Sequence, residues 1–457
     1  MNRKEIINHR QMAWVVGAIF AASGFVNQQS ELIHISGPDA WGSYMLPILY
    51  AFGVCFVFYY LIQLYPGKNL FQISFELCGK WVGGIVNLLF LIHLWLNLIR
   101  GVTSWADFAK TTLLPQTPRE IVILVFVLLI MYFGRIGFES ACRTNDIFFP
   151  LFVSTTLLLP LLLSNEINIH LLEPILVEPF SHLLESNLLS TGWYGDVFIA
   201  GAFLHTIASA QELKSSLRHG VIIGSLVLVL FLIMELSVLG WHTSSNLFYP
   251  NFTLIQQIHV TDFLDRVDLF LQGVWFFVIC SKMIFIYLAL LIAVQSFSKH
   301  TTYQLFNMPC AVFVIITSIL AFRSTGAFFN FSNYGATIIA LAYQPVVFLL
   351  LMLRAKMKKS KHSRHEAGAQ ADGNAGRQAD GRLSEAEKKT VRTAKKWSRA
   401  TILALLAAFA FFGFGILLGH VDAMYGKIAS VGCGLCLLLL WLTTYKEMKW
   451  SVRHALK

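Results

Sequence analysis

The sequence predicts an all-α polytopic membrane protein of twelve spans, and three observations predict it. Of its 457 residues, 56% are hydrophobic and only 13% charged, whereas a soluble domain carries roughly twice that charge. The apolar residues gather into long blocks, most of them near the roughly 20 residues a helix needs to cross a bilayer. The Lys and Arg residues fall between the blocks, on alternate sides of the chain's path. Together these exclude an ordinary soluble enzyme, a nucleic-acid binder and a disordered scaffold. The net charge of +10 is no DNA-binding patch, because more than a third of the Lys and Arg lie within 354–399.

In order, the blocks cover 11–34, 41–65, 82–107, 120–134, 146–164, 192–209, 221–241, 269–297, 308–322, 334–353, 401–419 and 428–445. Backbone groups in lipid must bond within their own element, which favours helices. Barrel strands would alternate apolar with polar residues, and these blocks do not. The first block runs into Gln28, Gln29 and Glu31 without a small-residue cleavage site, which predicts an uncleaved first span. The fourth and ninth are short and read as tilted partners inside the bundle. The seven cysteines are odd in number and lie mostly in or beside apolar blocks, so they read as small membrane residues, not a disulfide frame.

With the N-terminus in the cytoplasm, the inside segments hold Arg3, Lys4 and Arg10; Lys68 and Lys80; Arg135 and Arg143; Lys214 and Arg218; Lys299; and the last basic residues. The segment 165–191, outside, holds four Glu and no Lys or Arg. This positive-inside pattern predicts an even number of spans and two cytoplasmic termini. The resulting division is a ten-span core over 1–355, a basic flexible cytoplasmic linker over 356–397, two further helices over 398–445, and a basic tail over 446–457.

Polar residues inside spans are costly and therefore informative. The first span is interrupted at Ala22, Ser23 and Gly24; small residues there fit either an unwound, ligand-facing turn or close helix packing. In the third span, His93, Asn97, Arg100 and Ser104 are spaced 4, 3 and 4, on one helical face. That face lines a cavity or bonds to other helices. Asp268, Gln272, Trp275, Ile279 and Lys282 repeat the pattern in the eighth span. Lys282 is too deep to snorkel easily and costs roughly 2.5–3.5 kcal/mol on insertion scales. It needs carbonyls or a carboxylate, and Glu235 of the seventh span is one candidate. Gly201, His205, Thr206 and Ser209 interrupt the sixth span. No phosphate-binding loop, zinc-protease motif or nucleophile elbow is present, so nothing predicts an enzyme, a cofactor or a metal.

Several short stretches carry a family resemblance. Tyr65-Pro66-Gly67-Lys68 precedes Gly79-Lys80-Trp81-Val82-Gly83. Gly137 to Arg143 precedes Pro150, and Tyr249-Pro250 leads to Asp262-Phe263-Leu264-Asp265-Arg266 and Trp275. In that order they resemble the spore germination permeases, the B subunits of the Ger nutrient germinant receptors, over about 9–354. The resemblance implies the amino acid–polyamine–organocation superfamily: ten core spans in two inverted five-helix repeats, with helices 1 and 6 broken around a midplane ligand site. The two C-terminal helices exceed that plan. It implies a subunit that senses a small nutrient, often an amino acid, in the spore inner membrane, together with A-type and C-type lipoprotein subunits. Family ligand positions fall near Ala22, Ser23 and Gly24, His93 and Asn97, Gly201 and Ala202 with His205, and Ser281 and Lys282. Sodium-coupled members of the fold hold a cation between the first and eighth helices, which gives Lys282 the place of that ion. The other function class consistent with this cavity is an ion- or proton-coupled amino-acid transporter.

Overall fold

The computed structural model describes residues 7–22, 28–207, 209–258, 267–298, 300, 302–322, 324–371, 385–419 and 421–455. Ser23 and Gly24, and the Asp262 to Arg266 stretch, lie outside them. The helices are α1 (His9–Ala21), α2 (Gln28–Ser36), α3 (Met45–Leu64), α4 (Leu70–Phe108), α5 (Arg119–Ile136), α6 (Phe138–Leu162), α7 (Phe180–Tyr194) and α8 (Ala210–Val238). They continue as α9 (Trp241–Asn246), α10 (Pro250–Gln256), α11 (Val267–Ser296), α12 (Asn307–Leu320), α13 (Thr325–Asn330), α14 (Ala336–Ala371), α15 (Glu385–Leu418) and α16 (Ala423–Ala455). Among the described residues there is no strand, and nine helical stretches are long and apolar enough to cross a membrane.

Local sequence sets the joints. Asn69 caps α4: its side chain accepts from the Gln72 N–H at 2.9 Å, and the Gln72 side chain accepts from the Asn69 N–H at 3.2 Å. Gly79 then breaks the helix with φ +76°, a region closed to most side chains, so a short surface helix turns into the membrane helix. Gly137, at φ +99°, makes the equally sharp joint between α5 and α6. These are the glycines of the two stretches on which the resemblance first rested.

Several elements differ from the sequence expectation; the seventh span, for one, begins at Ala210, not at 221. The sixth span begins at Phe180, not at 192, and its α-helix gives way to a 3₁₀ helix (Gly195–Thr206) at Gly195, earlier than the expected interruption around Gly201. α14 runs through Ala371 and α15 starts at Glu385, so helix occupies part of the segment read as a flexible linker.

Close packing holds α1 against α8. A Cβ on Gly220 would meet the Ala13 carbonyl oxygen at 2.4 Å, and one on Gly224 would meet Phe20 at 2.5 Å. Small residues allow such backbone approach, and dispersion supplies the attraction between helices in lipid. α11 is the most enclosed candidate span among the described residues. α15 and α16 pair, and α16 lies on α8. At one end of this pair Arg218 meets Glu447 at 3.4 Å, and Thr401 donates to the same carboxylate at 3.3 Å. At the other end Lys427 meets Glu173 at 2.7 Å. The Asp39 carboxylate ties down that neighbouring loop by accepting the backbone N–H groups of Leu176, Val177 and Glu178.

Candidate ligand-binding site

The α7-to-3₁₀ junction places Asp196 in the protein interior, fully buried. Lys282 of α11 donates to its Oδ2 at 2.7 Å. Asn97 of α4 donates to Oδ1. The Arg100 guanidinium lies 3.8 Å from Oδ2, and His93 Nε2 lies 3.9 Å from Oδ1. Arg100 also donates to the Asn97 side-chain oxygen Oδ1 at 2.6 Å and stacks over Trp193 at 3.8 Å. The His93 ring packs against Phe198 and Tyr343, at 5.0 and 5.6 Å between centroids.

The third-span face thus points inward as its 4, 3, 4 spacing predicts. The eighth-span face does too: Gln272, Trp275 and Ile279 line one small cavity, and Ile279 and Lys282 line the next. That second cavity, about 30 Å³, is also lined by Ala22, Asn97, Arg100, Ser104 and Trp193. It has room for a water molecule, and it lies beside the end of α1.

The structure corrects one expectation about Lys282: its carboxylate partner is Asp196, not Glu235. Of the expected site residues it brings together Ala22, His93, Asn97 and Lys282. Gly201 and Ala202 pack elsewhere in the 3₁₀ helix; a Cβ on Gly201 would meet Leu70 at 2.7 Å. His205 is half-buried farther along the same helix. Ser281 donates to the Phe277 carbonyl of its own helix at 2.9 Å. Asp196 itself was missed. Its signal was present, as the one acidic residue in the 192–209 block.

Two basic side chains, Arg100 and Lys282, and a histidine therefore surround one carboxylate, all nine-tenths or more buried. Lys282 takes the close contact with Asp196. Arg100 keeps donors toward the cavity, and a planar guanidinium suits an anionic group such as a carboxylate. The arrangement suits binding and orienting a charged group.

Comparisons with known proteins agree with this architecture. The family model described as "Spore germination protein" matches residues 6–325. A putative spore germination protein YfkT of Bacillus subtilis (strain 168) is 24% identical over 351 residues, covering 76% of this chain and 97% of the relative. Spore germination protein KB of the same organism is 21% identical over 335 residues, covering 72% and 90%. Among solved structures, the nucleobase-cation-symport-1 family transporter Mhp1 aligns over 98% of this chain and 97% of its own, with TM-score 0.54 at 12% identity. MhsT in complex with L-phenylalanine aligns over 99% and 100%, with TM-score 0.50 at 13% identity. At such identities the likeness speaks for the fold alone, the fold these transporters share. The chain is a multi-pass membrane protein and belongs to the spore germination protein family.

Proposed function

We propose that this chain is the membrane subunit of a spore germinant receptor, binding a small nutrient, an amino acid in the first instance, and triggering germination. The observation that carries the reading is the Arg100–Asp196–Lys282 cluster beside the end of α1 and at the α7 break. The nutrient's carboxylate meets Arg100 and Asn97, and its ammonium meets the Asp196 side of the cluster. Relatives named spore germination proteins B2 and A2 support assembly with A-type and lipoprotein subunits. The basic segments support cytoplasmic termini, and the family supports the spore inner membrane.

Lys282 stands where a coupling cation would, between α11 and the end of α1, and holds the site without ion flux. This favours a sensor. The fold likeness to a symporter favours the second reading, an ion- or proton-coupled amino-acid transporter. The test is a germination dose response in spores, with uptake of labelled amino acids into proteoliposomes beside it. Asn97→Leu should raise the nutrient concentration needed while protein level stays normal, and sodium should have no effect. Sodium-dependent uptake by the native protein would overturn the receptor reading, and an unshifted dose response in Asn97→Leu would remove the site from it.

A further inference from the structure

A groove of about 350 Å³ opens between α4, the end of α12 and the π-helical turn (Phe331–Gly335) that joins α13 to α14. Its volume lies within the roughly 300–1,000 Å³ of small-molecule sites. Its walls are apolar apart from Thr317, whose hydroxyl accepts the Trp95 indole N–H at 3.3 Å. Leu320, on its rim, is 73% exposed, which on a membrane helix means facing lipid.

The groove does not end blindly. Leu96 and Phe331 line it and also line a smaller cavity that contains His93, Asn97 and Arg100. Asn97 and Arg100 in turn line the cavity that reaches Lys282. Leu96 and Phe331 are thus the two side chains common to the lipid-facing groove and the cavity beside the buried charges. Phe331 sits on the π turn, a local geometry that recurs at functional sites. That turn is fastened to α2, because Asn333 and Tyr334 both donate to the Glu31 carboxylate.

The two ends of the path differ in chemistry. The outer end offers apolar surface. The inner end offers Arg100, which lies 3.8 Å from Asp196 while Lys282 holds the same carboxylate at 2.7 Å. We propose that this path is a second ligand site, for an amphiphilic monocarboxylate delivered by the bilayer. Its tail lies in the groove, and its carboxylate reaches Arg100 once Leu96 and Phe331 part. Because Arg100 and Asn97 belong to both sites, the amphiphile and the nutrient exclude one another; that clause alone rests on the proposed nutrient site.

The test uses the full chain in lipid nanodiscs and labelled decanoate as the probe, with decanol and decylamine as tail-matched controls. Hydrogen bonds to a charged group are worth about 1.5–3 kcal/mol, so decanoate should bind at least about tenfold more tightly than decanol. Ala321→Trp, on the exposed rim, should fill the groove and weaken decanoate binding about tenfold or more, and Thr317→Trp should do the same from the helix. Arg100→Gln should abolish the preference for decanoate over decanol. Decanol binding as tightly as decanoate would mean simple partitioning and would overturn the proposal, as would unchanged decanoate binding in both groove variants. The nutrient response of Ala321→Trp should stay native. A chain that binds decanoate in this manner and no nutrient would defeat the receptor reading and leave this site standing.

Discussion

Asp196→Asn keeps the shape of the side chain and removes the carboxylate on which Arg100, His93 and Lys282 converge. The Lys282–Asp196 side chains are 2% and 0% exposed, so neither charge has bulk water in reach. Losing one partner of a buried ion pair costs about 3–5 kcal/mol, because the other charge stays desolvated. Asp196→Asn strands two cations and should fall at the upper end of that range. Lys282→Met is different. It leaves Asp196 with Arg100, 3.8 Å away and able to close by a small side-chain shift. Its cost should be nearer the about 1.5–3 kcal/mol of one charge-assisted hydrogen bond.

The double variant leaves only Arg100, which still has Asn97 and the Trp193 ring. It should be more stable than Asp196→Asn alone, which requires a coupling energy larger than the Lys282→Met cost of about 1.5–3 kcal/mol, at the upper end of the range expected for residues in contact. Chemical unfolding of the four proteins in mixed micelles measures all three differences. Equal losses for Asp196→Asn and Lys282→Met, or a double variant equal to their sum, would refute the shared-carboxylate account.

Gly220→Val should separate α1 from α8, since its side chain would start 2.4 Å from the Ala13 carbonyl; the yield of folded protein by size-exclusion chromatography should fall steeply. Glu447→Ala strands the buried Arg218 and should cost about 3–5 kcal/mol in the same unfolding assay, with Arg218→Met restoring much of it. A cysteine placed at 375, in a Cys-free background, should resist an impermeant thiol reagent until the membrane is opened, because the surrounding segment is strongly basic. Lys282→Met should abolish the nutrient response in the germination assay while the protein still inserts, and Lys282→Arg should fail to restore it, because a planar fork does not mimic a compact ammonium.

Much of the bundle was legible because lipid leaves few ways to bury a backbone. The faces of α4 and α11 were legible too: polar residues recurring at three- and four-residue spacing in an apolar block have one place to point. The start of the sixth span was not. The stretch from Phe180 to Thr191 contains Glu185, Ser186, Asn187, Ser190 and Thr191, and reads as a loop. Ser186 and Thr191 bond back to their own helix, at 3.0 Å to the Leu183 carbonyl and 2.7 Å to the Asn187 carbonyl, while Asn187 makes contacts that spacing along the chain does not reveal. Asn187 donates to the Gly42 carbonyl at 3.2 Å and accepts from the Leu46 N–H at 3.0 Å. The partner of Lys282 was hidden for the same reason: Glu235 and Asp196 are both lone acids in apolar surroundings, and only tertiary packing decides which one the ammonium meets.

The fold and the site also rest on different residues. Mhp1 shares this architecture at 12% identity, so the architecture tolerates wholesale exchange of side chains. What it needs is apolar length, a few tight joints such as Gly79 and Gly137, and small residues where α1 meets α8. None of these says what is bound, and one fold hosts many functions. The burden falls on a handful of buried polar groups that the bundle would be easier to fold without, since apolar replacement of a buried ion pair is often neutral or stabilising. Asn97, Arg100, Asp196 and Lys282 join α4, the α7 break and α11 at the cavity that the end of α1 also lines. A ligand that bonds to Arg100 or Asp196 must change how those elements are held to one another. On the proposed reading, in which the chain reports a nutrient, that is where the cost of burying charge is offset.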